Sequence, residues 1–117
     1  MTVNGAVSHW FPRIPEPRSP LPGDREADVC IVGAGYTGLW TAYYLKQLDP
    51  SLTIAVLEAR FAGFGASGRN GGWLSGLPPG HRGVLAKEHG RDSVIAWQRM
   101  LNTSVDEVIA VAAREGI

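Results

Sequence analysis

The sequence predicts an α/β fold built on one parallel strand–helix–strand unit. Three observations carry that expectation. Val29–Val32 is an apolar run with three β-branched members, Tyr36–Leu48 carries an apolar face at helical spacing, and residues 53–57 form a second β-rich run. Strand, helix and strand fall within about thirty residues, the span of a βαβ unit with a right-handed crossover.

Residues 1–26 read as an irregular lead-in. Prolines at 12, 15, 17, 20 and 22 remove backbone donors and disfavour helix, so the segment should be extended or polyproline-like. Trp10 and Phe11 are too apolar for a purely solvated tail, and docking on the rest of the protein and disorder both stay open. The first strand suits burial on both faces, with Cys30 inside it as a buried, inert thiol. In the helix, Leu39, Ala42, Tyr43 and Leu45 make the apolar face, and Asp49-Pro50 stops it because the residue before a proline avoids the α region.

The turn between that strand and helix reads Gly33-Ala34-Gly35-Tyr36-Thr37-Gly38, with glycines at its first, third and sixth positions. This is the phosphate-binding turn of a dinucleotide-binding, Rossmann-like fold. Gly33 allows the tight exit from the strand, Gly35 lacks the Cβ that would block a pyrophosphate, and Gly38 lets the helix approach the sheet. Amides at the helix start face the phosphates, where the helix dipole favours negative charge. Three glycines are weak evidence alone. Glu58 strengthens them: it ends the second strand twenty residues after Gly38, where the pattern wants a carboxylate to accept hydrogen bonds from ribose hydroxyls.

Residues 61–83 hold glycines at 63, 65, 68, 71, 72, 76, 80 and 83. Ser67, Arg69 and Asn70 lie among them, offering donors where backbone can approach a ligand closely. A flexible linker would not usually carry Phe61, Phe64 and Trp73, so the stretch reads as a functional loop. Residues 92–115 turn helical, with Val94, Trp97, Leu101, Val105, Val108, Ile109 and Ala112 on one face. Ser104 and Asp106 leave one long helix or two shorter ones open, and Gly116 suits the position after a helix end.

Composition narrows the function. The 117 residues have a formal net charge of zero, giving no global electrostatic case for nucleic acid or an anionic membrane. One cysteine excludes an intrachain disulfide and fits a reducing compartment. The longest uncharged run, residues 29–45, is broken by three glycines and is short for a membrane span, and no secretory signal is visible. A soluble cytoplasmic protein is the expectation. Leu39 and Trp40 stand where a triphosphate-binding loop needs Lys and Ser or Thr. Gly65-Ala66-Ser67-Gly68 has its second glycine one position early for a nucleophile elbow. His9, His81 and His89 share no metal-ligand spacing with one another or with Cys30, so no metal site is expected.

With these elements placed, the chain resembles the N-terminal part of D-amino-acid-oxidase-type FAD-dependent oxidoreductases, in the gamma-glutamylputrescine oxidoreductase-like branch. The resemblance lies in Ala27-Asp28-Val29 through Tyr43-Tyr44-Leu45, then Val56-Leu57-Glu58-Ala59. Its most specific part is Gly63-Phe64-Gly65-Ala66-Ser67-Gly68-Arg69-Asn70-Gly71-Gly72, and Ser8-His9-Trp10 is a family-like lead-in. The resemblance implies FAD as cofactor, with Gly33, Ala34, Gly35, Tyr36, Thr37 and Gly38 at the pyrophosphate. It places Glu58 at the adenosine ribose, counts Ala59 and Arg60 beside it among the cofactor-binding residues, and puts Gly65, Ala66 and Ser67 near the phosphates. Arg69, Asn70, Gly71 and Gly72 would run toward the flavin ring. It implies oxidation of a small-molecule amine or amino acid, with hydride passing from the amine-bearing carbon to FAD and the imine then hydrolysed. No catalytic residue is assigned.

Two strand signals are few for a doubly wound sheet, and a lone βαβ unit buries little against chain entropy. The expectation is therefore an incomplete fold: a lead-in over residues 1–26 and a partial FAD-binding domain over residues 27–117, inactive alone. A nicotinamide-dependent dehydrogenase fragment and a non-catalytic truncated remnant are the alternatives.

Overall fold

β1 (Val29–Val32) and β2 (Ile54–Leu57) pair in parallel, Val29 opposite Ile54 and Val32 opposite Leu57, with α1 (Tyr36–Leu48) between them in the chain. A computed structural model describes residues 7–117, which divide into two units, one ending at Gly71 and the other beginning at Gly72.

Thr53 lies just outside the ladder, one residue short of the predicted strand, because its polar groups are committed elsewhere. Its carbonyl accepts from the amides of Asp28 (3.0 Å) and Val29 (3.2 Å), and its own amide donates to the Asp28 carboxylate at 2.7 Å. The Thr53 hydroxyl donates to the same carboxylate, and these bonds hold the Asp28 carboxyl below its ordinary range. This reciprocal clamp sets the parallel register at the first pair of the sheet. At the far end of α1 the predicted stop is in place: Asp49 Oδ1 accepts from the Ser51 amide at 2.9 Å, and Lys46 Nζ donates to the carbonyl of Leu52 at 3.0 Å.

Burial on both faces of β1 does not occur. Val29 and Ile31 are half-buried, whereas Cys30 and Val32 are exposed, Val32 at 85%. The strand pleat sends alternate side chains to opposite faces, and among the described residues only one face is covered. The Cys30 thiol is therefore on the open side. On α1, Ala42, Tyr43 and Leu45 are packed as expected, but Leu39 is 44% exposed. Gly38 takes the contact instead: a Cβ there would sit 3.2 Å from Ile31 Cγ2.

The second unit is a helical hairpin of α2 (Arg82–His89) and α3 (Arg91–Glu115). The loop thus ends at residue 81 rather than 83, α2 is an element the sequence did not predict, and α3 is one long helix rather than two shorter ones. His81 caps α2 by accepting the Gly83 amide on Nδ1 at 3.2 Å, and Arg82 Nη2 donates to Gln98 Oε1 of α3 at 2.7 Å. Gly90 makes the tight turn between the helices, at φ 82. α3 runs unbroken because Thr103 and Ser104 donate back to the carbonyls of Arg99 (3.0 Å) and Met100 (2.9 Å) instead of capping a new helix. Its packed stripe runs through Val94, Trp97, Leu101, Val105 and Val108 to Val111, which is only 6% exposed. Ile109 is 58% exposed, a residue and about 100° off that stripe. Leu85, His89, Ser93, Val94 and Trp97 line an open groove of about 500 Å³ on this hairpin. No helix among the described residues is long and apolar enough to cross a membrane.

Candidate functional site

The carboxyl ends of β1 and β2 lead into two turns that are tied together. Past β1 the Gly33 amide continues the ladder to the Leu57 carbonyl at 2.7 Å, and φ of 101 at Gly33 then swings the chain into α1. Ala34, next in the turn, is 5% exposed. Past β2, Glu58 reaches back: Oε2 accepts the Ala34 amide and Oε1 accepts the Arg60 amide, each at 3.0 Å. These two donors, Ala34 first, hold the Glu58 carboxyl below its ordinary 4.5. The Ala59 amide adds a weaker contribution, and the roughly four lone-pair sites of a carboxylate leave it room to accept from a hydroxyl as well.

The second glycine stretch closes on the same turn. The Gly63 amide donates to the Ala34 carbonyl at 2.9 Å, and a single 3₁₀ turn over Ala66–Gly68 brings the Ser67 hydroxyl to the Tyr36 amide at 2.8 Å. Ser67 thereby caps α1, whose N-terminal Gly35 has no side chain to do so. The remaining first-turn amides have no intrahelical acceptor, by helical geometry. Gly35 faces this hydroxyl: a Cβ there would stand 3.0 Å from Ser67 Oγ. Asn70 Nδ2 donates to the Ser67 carbonyl at 2.8 Å and to the Tyr36 hydroxyl at 3.3 Å.

Of the residues singled out in the sequence, Gly33, Ala34, Gly35, Tyr36, Gly38, Glu58, Arg60, Ser67 and Asn70 share this junction. Thr37 stands in the first turn of α1, its carbonyl accepting from Thr41. Ala59 is exposed between Glu58 and Arg60, and Gly65 and Ala66 are exposed where the 3₁₀ turn begins. Arg69 is exposed and folds back along the loop, donating to the Phe64 carbonyl at 2.8 Å with its guanidinium 4.8 Å above the Phe64 ring. Gly71 ends the first unit and Gly72 begins the second. Gly63 and Gly68 stand in the loop motif named from the sequence, but no cofactor contact is expected of them there. Their signal is a glycine pair five apart among Phe61 and Phe64. A separate cleft of about 530 Å³, lined by Arg25, Glu26, Ala27, Asp28 and Thr53, opens at the amino end of the sheet. Open parallel sheets bind ligands at the carboxyl ends of their strands, so the glycine turn and not this cleft is the candidate site.

The chemistry available is anion and diol recognition: helix-start amides and a hydroxyl on one side, an ionised carboxylate on the other. Residues 28–117 match the family described as FAD dependent oxidoreductase. The chain belongs to that family. FAD is accordingly its cofactor. The chain is 44% identical over 80 residues to the gamma-glutamylputrescine oxidoreductase of Escherichia coli K12, covering 68% of this chain and 17% of that protein. It is 51% identical over 72 residues to the probable oxidoreductase OrdL of Rhizobium meliloti, covering 60% of this chain and 16% of that one. Thiamine thiazole synthase of Schizosaccharomyces pombe is 47% identical over 51 residues, 44% of this chain and 14% of its own. The chain thus spans about a sixth of the length of the curated relatives it matches. No solved structure matches it.

The Glu58 bonds carry a pH signature. A carboxyl lowered in the folded state stabilises fully above its ordinary 4.5, and that contribution is lost as the pH falls below 4.5 through the lowered native value. Thermal melts in acid should therefore show a steeper fall for the native protein than for Glu58→Gln. Parallel curves for the two would remove Glu58 as the bridge between the turns.

Proposed function

We propose that this chain provides the FAD-holding part of an oxidoreductase acting on small amines or amino acids. The observation that supports this most is the convergence of the residue 33–38 turn, the Ser67 hydroxyl and the Glu58 carboxylate at the carboxyl end of a parallel strand pair. The turn of Gly33, Ala34, Gly35, Tyr36, Thr37 and Gly38 receives the pyrophosphate at the start of α1, on amides other than those of Gly33, Ala34 and Tyr36, which bond Leu57, Glu58 and Ser67, with Gly65, Ala66 and Ser67 closing over it. Glu58 accepts from the ribose hydroxyls and is held in place by the backbone of Ala34 and Arg60, with Ala59 between. Arg69, Asn70, Gly71 and Gly72 lead toward the flavin ring. When bound, FAD supplies the acceptor for a hydride leaving the amine-bearing carbon. The chain's own contribution is to bind and orient.

The name of the Escherichia coli relative supports an amine substrate, and its match reaches well beyond the 51 residues shared with thiamine thiazole synthase. Residues 27–117 form a partial FAD-binding domain, preceded by the lead-in of residues 1–26. Ala34 and Val111 are the buried hydrophobic residues among those described, a small core against the chain entropy of folding. The 117 residues alone should therefore hold FAD weakly and turn nothing over. A single cysteine fits a reducing, cytoplasmic setting.

The test is flavin retention through gel filtration, for these 117 residues and for the protein made from its natural reading frame. Amine-dependent bleaching of the flavin follows for the latter. Bleaching by primary amines or amino acids is the expected result. A protein that keeps flavin but is reduced by no amine would overturn the substrate class, and a 117-residue chain that stays yellow would overturn the weak-binding expectation.

A further inference from the structure

The lead-in is fastened to the second glycine loop at three points, none of which the FAD-binding pattern requires. Trp10 Nε1 donates to the Asn70 carbonyl at 2.8 Å. Arg69 Nη1 donates to the Val7 carbonyl at 3.3 Å. The Phe11 ring meets Phe61 edge-on at 5.1 Å, and Phe61 meets Phe64 the same way at 5.3 Å. Phe11 also occupies the space beside the loop's glycines: a Cβ on Gly68 would lie 2.5 Å from its Cε2, and one on Gly63 would lie 3.5 Å from its Cζ. Gly68 adjoins Ser67, and Asn70, whose carbonyl Trp10 holds, is bonded through its amide to the Ser67 carbonyl.

We propose that Trp10 and Phe11 are positioning residues for FAD, acting through the loop to keep the Ser67 hydroxyl at the N-terminus of α1. The proposal rests on the reading of Ser67 as a phosphate-side contact. Without the clip, residues 63–70 are tied to the glycine turn by the Gly63 amide, the Ser67 hydroxyl and the longer Asn70 Nδ2–Tyr36 hydroxyl bond, three bonds on a chain rich in glycine. Such a loop samples many conformations, and a ligand that needs one of them binds more weakly by the fraction lost.

The experiment uses the protein made from its natural reading frame, with Trp10→Phe, Phe11→Leu, Ser67→Ala and the double variant Trp10→Phe/Ser67→Ala. Trp10→Phe keeps an aromatic ring and deletes one donor. FAD affinity, read by quenching of free flavin fluorescence, should fall about three- to tenfold in Trp10→Phe, the scale of one hydrogen bond, and by a similar factor in Phe11→Leu, the scale of one aromatic pair. Hydrogen exchange without FAD should speed up over residues 63–72 and stay unchanged over β1 and β2, which a general loss of stability would not reproduce. In the Ser67→Ala background, Trp10→Phe should have no further effect on affinity, because the two act in series. Unchanged affinity in both lead-in variants, or additive losses in the double variant, would overturn the proposal. Failure of the native protein to bind FAD would instead overturn the cofactor site on which it rests.

Discussion

Gly38→Ala should destabilise the protein by about 3 kcal/mol and abolish flavin retention. In an ordinary helix the same change stabilises by up to about 1 kcal/mol, so the expected sign is reversed. The reason is local and steric. A Cβ at position 38 would stand 2.0 Å from the Gly33 carbonyl oxygen, which is backbone and cannot rotate away, and 3.2 Å from Ile31 Cγ2. Relief requires α1 to lift from β1 or the residue 33–38 turn to open, and either movement pulls the Ala34 amide from Glu58. Gly65→Ala is the matched control, since a Cβ there meets nothing within 4 Å. Chemical denaturation of both variants beside the native protein measures the difference. Equal midpoints for all three would mean that the helix does not approach the strand this closely.

Gly68→Ala should be the next most damaging single change, costing about 2 kcal/mol. The added Cβ would fall 2.3 Å from the Gly63 carbonyl oxygen as well as 2.5 Å from the Phe11 ring. Phe11 can swing out, but the Gly63 carbonyl belongs to the segment whose amide is bonded to Ala34. The variant should lose both the aromatic contact and the Ser67 cap on α1. Thermal melting should drop by several degrees. A melting point equal to that of the native protein would rule out the packed loop.

The parts of this fold that were legible in the sequence are those whose causes are local. β1 and α1 have the predicted bounds because a β-branched run, three glycines and Asp49-Pro50 specify start and stop within a few residues. The Glu58 position was legible for the same reason, though its hold on the Ala34 and Arg60 amides was not. α2 was missed because Pro78, Pro79, Gly80 and Gly83 read as loop, while the helix depends on a His81 cap and an Arg82–Gln98 bond across the hairpin. Cys30 was misplaced because the amino acids of a strand do not say how many of its faces a neighbour covers. The docking of Trp10 and Phe11 was undecidable from spacing alone. Their partners lie fifty to sixty residues away, beyond any local pattern.

That separation has a consequence for how the protein is made. The Trp10 indole and the Asn70 carbonyl are 60 residues apart in the chain. At ribosomal rates of about 5–20 residues per second, the tryptophan waits roughly 3 to 12 s for its acceptor to be synthesised. Through that interval an indole and a phenyl ring stand exposed on a proline-rich tether, open to a chaperone or to another nascent chain. The lead-in precedes every strand and helix of the described chain, yet it finds its place only after both strands and α1 have been made.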